Sequence, residues 1–303
     1  MLKDFKEMAE LVKQHPVKKR LVLACAHDEH SLEAVAHACK EGIIEAVLVG
    51  READIKAIAE KEGLDISAAK IYDVDGDVEC AKKAVELIRE GEGDFLMKGK
   101  MQTADLLREV VNKETGLRTG NIMSHFGLFQ IPHYHKVCAL TDGGMIENPD
   151  LEKKVAILNN AVSVMHSLGY ENPNVAVICA AEKFNKRAQE SVDAVAIKEM
   201  YEKGEITGCT VEAPISYDIA LHKDVAEFKG FESPVAGEAD ILLMPGMASG
   251  NMLGKAWILN GDGTGMMAGM VVGAKAPIVL VSRAASADEK FYSIVLAAAA
   301  STK

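Results

Sequence analysis

Short apolar runs alternate with longer amphipathic runs along almost the whole chain. RLVLACA (20–26) precedes SLEAVAHACKEG (31–42), and EAVLVG (45–50) precedes READIKAIAEKEG (51–63). KIYDVD then leads into VECAKKAVELIREGEG, and DFLMKG into TADLLREVVNKETG. The apolar runs read as strands covered on both faces. The amphipathic runs read as helices, each ending in a glycine suited to a left-handed cap. This alternation predicts parallel strands joined by helical crossovers, a layered α/β fold.

The second half keeps the alternation with different detail. HKVCALTD predicts a strand ending in a carboxylate, DLEKKVAILNNAVSVMHSLG a long helix, and NVAVICAAE a strand. SVDAVAIKEMYEKGE predicts a helix, ADILLMPGM a strand, and SGNMLGKAWILNG a helix opened by small polar residues. From Ile278 the chain reads as a last buried strand, a polar turn with Ser282 and Arg283, and an Ala-rich helix starting near Ser286. That helix has Asp288 and Glu289 in its first turn. There is no internal repeat, low-complexity tract or Pro-rich linker. The expected division is residues 1–136 with 271–303 as a first α/β lobe and 137–270 as a second.

Bulk properties narrow the function. The chain has 303 residues, 49% hydrophobic and 26% charged, which suits a soluble globular enzyme. A net charge of −11 argues against nucleic acid or an anionic membrane as partner, while leaving room for a local basic pocket. The six cysteines are scattered without a CxxC pair, so reduced core thiols and a cytoplasmic location are expected. Residues 1–20 read as a charged amphipathic helix rather than a signal peptide, and no apolar stretch reaches membrane length.

Open α/β sheets bind ligands outside the carboxyl ends of their strands. The residues there are His27, Asp28 and Glu29; Lys98, Gly99 and Lys100; and Asp142, Gly143 and Gly144. Gly246, Ala248, Ser249, Gly250 and Asn251 follow a fourth strand, and Ser282 and Arg283 a fifth. Small residues, hydroxyls and cations in this pattern suit an anion held by helix N-termini and backbone N–H groups. Each also has a plain alternative: a helix cap at 246–251, a solvated turn at 98–100, a surface ion pair for Arg283. GDGTGMMAG (261–269) resembles a dinucleotide glycine motif but has no strand before it. His133 and His135 lack a third ligand at a fixed spacing, so no metal site is expected. Cys138 and Cys179 have no activating neighbour in sequence and read as core thiols. Neither a GxSxG elbow nor a GxxxxGK[ST] loop occurs.

Taken together, SPVAGEADILLMPGMASGN (233–251), PIVLVSRAASADEK (277–290), MKGKMQTADLLREVV, LTDGGMIENPDLEKKVAILNNA and ESVDAVAIKEM occur in an order that resembles the phosphate acetyltransferase/phosphate butyryltransferase family. The resemblance runs from about Leu21 onward, and MSHFGLFQIPHYHK and LTDGG point to the butyryltransferase branch. It implies a two-lobed isocitrate/isopropylmalate-dehydrogenase-like fold, with layered, mainly parallel sheets and a cleft between the lobes. It implies reversible transfer of a short acyl group between coenzyme A and inorganic phosphate. The coenzyme A thioester is then a substrate, with no permanently bound cofactor or metal, and the protein self-associates as a homodimer or larger. Ser282 and Arg283 match the family's catalytic serine and arginine. Arg108 falls where an arginine near coenzyme A is expected, and Arg118 matches a second loosely. The acetyltransferases place an aspartate seven residues after the serine; here that position is Glu289, with Asp288, the butyryl-type position, just before it. The base is therefore Asp288 or Glu289, with Asp288 favoured because the butyryl branch puts its acid there and Glu289 the alternative from the acetyl branch. Lys98, Lys100 and Arg108 are the expected partners of the phosphates of coenzyme A. Asp142 is a further substrate-site residue, and the backbone at Ser249, Gly250 and Asn251 the expected phosphate cradle. An acetyltransferase, a nicotinamide-dependent hydroxy-acid dehydrogenase on the same fold and a catalytically silent binding protein are the alternatives. The dehydrogenase needs a carboxylate cluster for a divalent metal, which no spacing here supplies.

Overall fold

The opening amphipathic segment forms helix α1 (Phe5–Lys13), which buries Phe5, Met8 and Ala9. Strand β1 (Lys19–Ala24) follows and is buried from Leu21 onward. Asp28 starts α2 (Glu29–Lys40) by accepting the Ser31 N–H at 3.0 Å, a cap contributing about 1 kcal/mol. Then come β2 (Ile44–Gly50), α3 (Glu52–Glu62), β3 (Lys70–Asp73), α4 (Asp77–Arg89), β4 (Phe95–Lys98) and α5 (Thr103–Val110). Gly63 closes α3 in the left-handed region at φ 64°, where a side chain would be strained.

The middle of the chain forms β5 (Ser124–Gln130), β6 (Val137–Thr141), α6 (Leu151–Ser167), β7 (Asn174–Cys179) and α7 (Gln189–Glu202). It continues through β8 (Thr210–Ser216), α8 (Tyr217–Leu221), α9 (Lys223–Lys229), β9 (Ile241–Leu243) and α10 (Met247–Leu259). The chain closes with β10 (Met266–Val272), β11 (Ile278–Val279) and α11 (Ala287–Ala300). The computed structural model describes residues 1–260, 265–281 and 285–301. Among them no helix is long and apolar enough to cross a membrane.

This two-lobed α/β fold comprises two compact units. The first is Phe5–Asn121 with Ala268–Lys303, and the second is Met1–Asp4 with Ile122–Met267. In the first unit the strand order is β3-β2-β1-β4-β11-β10. All neighbours are parallel except β10 and β11. The chain builds from β1 out to β3, then returns to lay β4 on the other side of β1, with Ala24 opposite Lys98. This reversal makes the loops after Ala24 and after Lys98 the natural ligand edge. Helix α11 is anchored to the unit by rings: Phe291 stacks on His37 of α2 at 4.5 Å, and Tyr292 meets Phe5 of α1 at 5.1 Å.

In the second unit the order is β5-β6-β9-β7-β8, with β5 antiparallel to β6 and the rest parallel. The sequence pattern groups residues up to 136 with the first lobe. In the structure β5 instead pairs with β6 from Gly127–Leu140 to Gln130–Val137, as two arms of a hairpin whose turn includes His133 at φ 64°. Here β9 inserts between β6 and β7, so the reversal lies at the carboxyl ends of β6 and β9. The core under the sheet gathers Phe129, Leu140, Ile178, Ile215, Leu242 and Trp257. Trp257 Nε1 donates to the Tyr217 hydroxyl at 2.9 Å.

Candidate functional site

The ligand edge of the first unit is built by backbone. Gly99 N–H donates to Ala24 O at 2.8 Å, and Lys100 N–H to Cys25 O at 3.1 Å. A Cβ on Gly99 would lie 2.7 Å from Ala24 O and press on Cys25 O, so only glycine lets the two turns meet. Cys25 itself takes φ 56°, unusual for a residue with a side chain. The three expected cations differ in role. Lys98 is buried, and its Nζ donates to the carbonyls of Gly99 and Met101, both at 3.2 Å. It therefore fastens the loop. Lys100 is exposed, and Arg108 is exposed on α5 with Nη1 on Asp105 Oδ1 at 3.0 Å.

At α11 the two acids separate. Ser286 Oγ caps the helix by accepting the Glu289 N–H at 3.1 Å. Asp288 points to solvent, whereas Glu289 is half-buried, and burial raises its carboxyl above the ordinary carboxylate range against the pull of Lys290. Lys290 is buried with Nζ 3.3 Å from Ala285 O. Ser293 Oγ donates to Glu289 O at 2.7 Å and accepts the Gly269 N–H at 2.9 Å, locking this turn to β10. Ser282 and Arg283 lie outside the described residues, as does the 261–264 part of the glycine-rich motif. The rest of that motif enters β10.

In the second unit the corresponding edge centres on Asp142. Its side chain is buried and accepts three backbone N–H groups: Gly144 at 2.6 Å, Met145 at 2.8 Å and His125 at 3.0 Å. It is the anchor of its loop. Gly250 of α10 packs against this loop so closely that a Cβ would fall 2.8 Å from Asp142 O. Asn251 Nδ2 donates to Gly143 O at 3.1 Å, and Ser249 Oγ to Gly246 O at 2.8 Å. Ser249, Gly250 and Asn251 are thus brought together with Asp142, and the start of α10 has no side-chain cap. The N–H groups of Met247 and Gly250 already donate to Glu147 O at 3.2 Å and Gly246 O at 3.3 Å, so neither is open to an anion, and a cradle here rests on the remaining first-turn N–H groups.

Two histidines went unassigned in sequence. His27 Nδ1 and His125 Nδ1 are sealed from solvent without a hydrogen-bond partner among the described residues. His27 stood in the strand-end pattern; His125 lay inside MSHFGLFQ, whose strand the pattern did not separate. Cys138 and Cys179 are core thiols. Burial pushes both up, Cys179 to about 11, which disfavours a thiolate. His135 Nε2 meets Glu238 Oε2 at 3.0 Å.

The family model described as phosphate acetyl/butaryl transferase matches residues 5–83 and 78–298. The chain belongs to this family. It is 43% identical over 298 residues to the phosphate butyryltransferase of Clostridium acetobutylicum, covering 98% of each chain. It is 38% identical over 280 residues to the phosphate acetyltransferase of Thermotoga maritima, covering 92% of this chain and 94% of that one. Among solved structures it resembles a branched-chain phosphotransacylase from Enterococcus faecalis. The TM-score is 0.82 at 29% identity, over 94% of this chain and 99% of the other. The family match spans every candidate residue, including Ser282 and Arg283.

Proposed function

We propose that the protein transfers a short acyl group, butyryl by preference, reversibly between coenzyme A and inorganic phosphate: acyl-CoA plus phosphate gives acyl phosphate plus CoA. The observation that carries this is 43% identity along the full chain to a named phosphate butyryltransferase. A phosphate oxygen attacks the thioester carbonyl, a tetrahedral oxyanion forms, and the C–S bond breaks as the thiolate leaves. Arg283 supplies a planar fork for phosphate oxygens, and Ser282 donates to the oxyanion or orients phosphate. Preorganised donors of this kind each contribute roughly 10²–10³ in rate.

In the reverse direction the thiol must lose its proton. Glu289 is the better base, because its carboxyl is half-buried and burial raises its pKa, whereas Asp288 faces water. The uncapped start of α10 favours an anion, with Asp142 shaping the loop beside it. Lys100 and Arg108 are the cations offered to the phosphates of coenzyme A, and Lys98 holds their loop in place. The chemistry requires no resident cofactor. Free thiols throughout favour a reducing cytoplasm. Self-association as a homodimer or larger is the expected assembly, read out by light scattering.

The test is release of free thiol from butyryl-CoA on adding phosphate. Thiol release equal to the no-phosphate control, or reduction of a nicotinamide cofactor by a hydroxy acid, overturns the assignment.

A further inference from the structure

His125 stands on β5 beside the loop anchored by Asp142. Its backbone N–H donates to Asp142 Oδ2 at 3.0 Å, and its carbonyl accepts Thr141 Oγ1 at 2.8 Å. Its ring lies on Gly144, where a Cβ would come within 3.1 Å of the ring's Cγ. The residue is half-buried, yet Nδ1 is sealed from solvent and has no hydrogen-bond partner among the described residues. Asp142 Oδ1 accepts from Gly144 and Met145 and Oδ2 from His125 N–H, which leaves Oδ2 one further acceptor position, yet Nδ1 does not bond to it.

Burial lowers the His125 pKa although the Asp142 charge opposes this, so the ring is neutral near pH 7. A neutral imidazole carries one proton, on one nitrogen. A sealed N–H without an acceptor costs more than a sealed lone pair without a donor. The proton therefore belongs on Nε2, and the unsatisfied lone pair on Nδ1.

We propose that His125 presents Nε2–H as a neutral hydrogen-bond donor to an oxygen of the transferring group, and so contacts substrate in the acyl-transfer reaction. The proposal rests on the acyl-transfer assignment above. The acceptor is a phosphate oxygen or the thioester carbonyl oxygen. A neutral donor suits either, because it stabilises growing negative charge without needing a counter-ion of its own.

Glutamine and asparagine separate the two ring nitrogens. The amide nitrogen of His125→Gln reaches the position of Nε2, and that of His125→Asn the position of Nδ1. The Gln variant is expected to stay within about fivefold of wild-type kcat/KM. The Asn and Ala variants are expected to lose roughly 10²-fold. A rise in KM for phosphate at constant kcat identifies a phosphate contact; a fall in kcat identifies the carbonyl oxygen. Equal losses in the Gln and Asn variants, or no loss in any variant, overturn the proposal.

Nitrogen-15 NMR of histidine-labelled protein supplies a readout independent of turnover, with His125 assigned by its absence from the Gln variant. The neutral Nε2–H form is expected from pH 6 to pH 8. An Nδ1–H tautomer or an imidazolium at pH 7, with wild-type turnover intact, sinks the role of His125 alone. Absence of phosphate-dependent thiol release by wild type sinks the acyl-transfer assignment itself.

Discussion

At the scale of single residues, Glu289 joins stability and chemistry. Its carboxyl is raised above the ordinary 4.5 by burial. A folded-state pKa above the unfolded one gives a contribution fully present below about 4.5, and lost as pH rises through the folded value. At pH 7 the ionised side chain therefore costs stability. Glu289→Gln should melt higher than wild type at pH 7, with the difference closing toward pH 4 in thermal scans. The same variant should slow acylation of CoA by roughly 10²-fold at pH 6, recovering toward pH 9 as the thiol, with a pKa of about 8.5, ionises unaided. Asp288→Asn, at an exposed position, should keep the acylation rate within about threefold of wild type and change stability by no more than about 0.5 kcal/mol. If Asp288→Asn shows the acid-side loss instead, the base is Asp288. Arg283→Lys tests the phosphate grip: an ammonium is a point charge without the bidentate fork, so kcat/KM for phosphate should fall roughly 10²-fold in a folded protein. Near wild-type kinetics would remove Arg283 from the site.

At the scale of elements, the two ends of the second unit's strands have different work. At the amino ends Lys136 is buried before β6, with Nζ on Asp240 Oδ1 at 2.7 Å and Glu238 O at 2.9 Å. Asp240 Oδ2 accepts the Asn174 N–H at the start of β7, so one ion pair ties β6, β7 and β9. Removing one partner of a buried pair leaves an uncompensated charge, at about 3–5 kcal/mol. Lys136→Met should lower the unfolding free energy from denaturant titration by that amount while kcat at low temperature stays near wild type, since the candidate site is at the other ends. A large loss of kcat in folded Lys136→Met would contradict that separation. The strongly periodic elements were legible in sequence, including β1 to β4, α6 and α7. β5 and β10 were not: SHFGLFQ alternates only in part, and MMAGMVV follows a glycine-rich stretch without a break in composition. Antiparallel pairing of both strands leaves no local mark. The strand-end rule named the candidate residues, yet the occupancy of each polar atom depends on loop geometry. That is why Lys98 and Asp142, expected at substrate, turn out to hold backbone.

At the scale of the whole molecule, the proposed activity asks a chain of net charge −11 to handle phosphate and a polyanionic thioester, so affinity must come from a few local donors rather than from its overall field. On the proposed assignment those donors meet the parts common to every acyl-CoA, which leaves acyl length to apolar contacts. The same architecture serves relatives with different acyl names: the chain is 40% identical to a phosphate butyryltransferase of Clostridium beijerinckii and 38% identical to an acetyltransferase of Thermotoga maritima. Fold therefore does not choose the substrate; the fit of two methylenes does. Each methylene contributes roughly 1–3 kcal/mol of discrimination at most. A pocket that accepts four carbons should then favour butyryl-CoA over acetyl-CoA by about tenfold or more in kcat/KM. The gain should appear mainly in KM if the chain only binds, and in kcat if its burial also orients the carbonyl for attack. Initial rates of phosphate-dependent thiol release with acetyl-, propionyl- and butyryl-CoA decide it. A stepwise rise from two to four carbons supports the butyryl assignment; equal kcat/KM for acetyl- and butyryl-CoA would place this chain with the acetyltransferases.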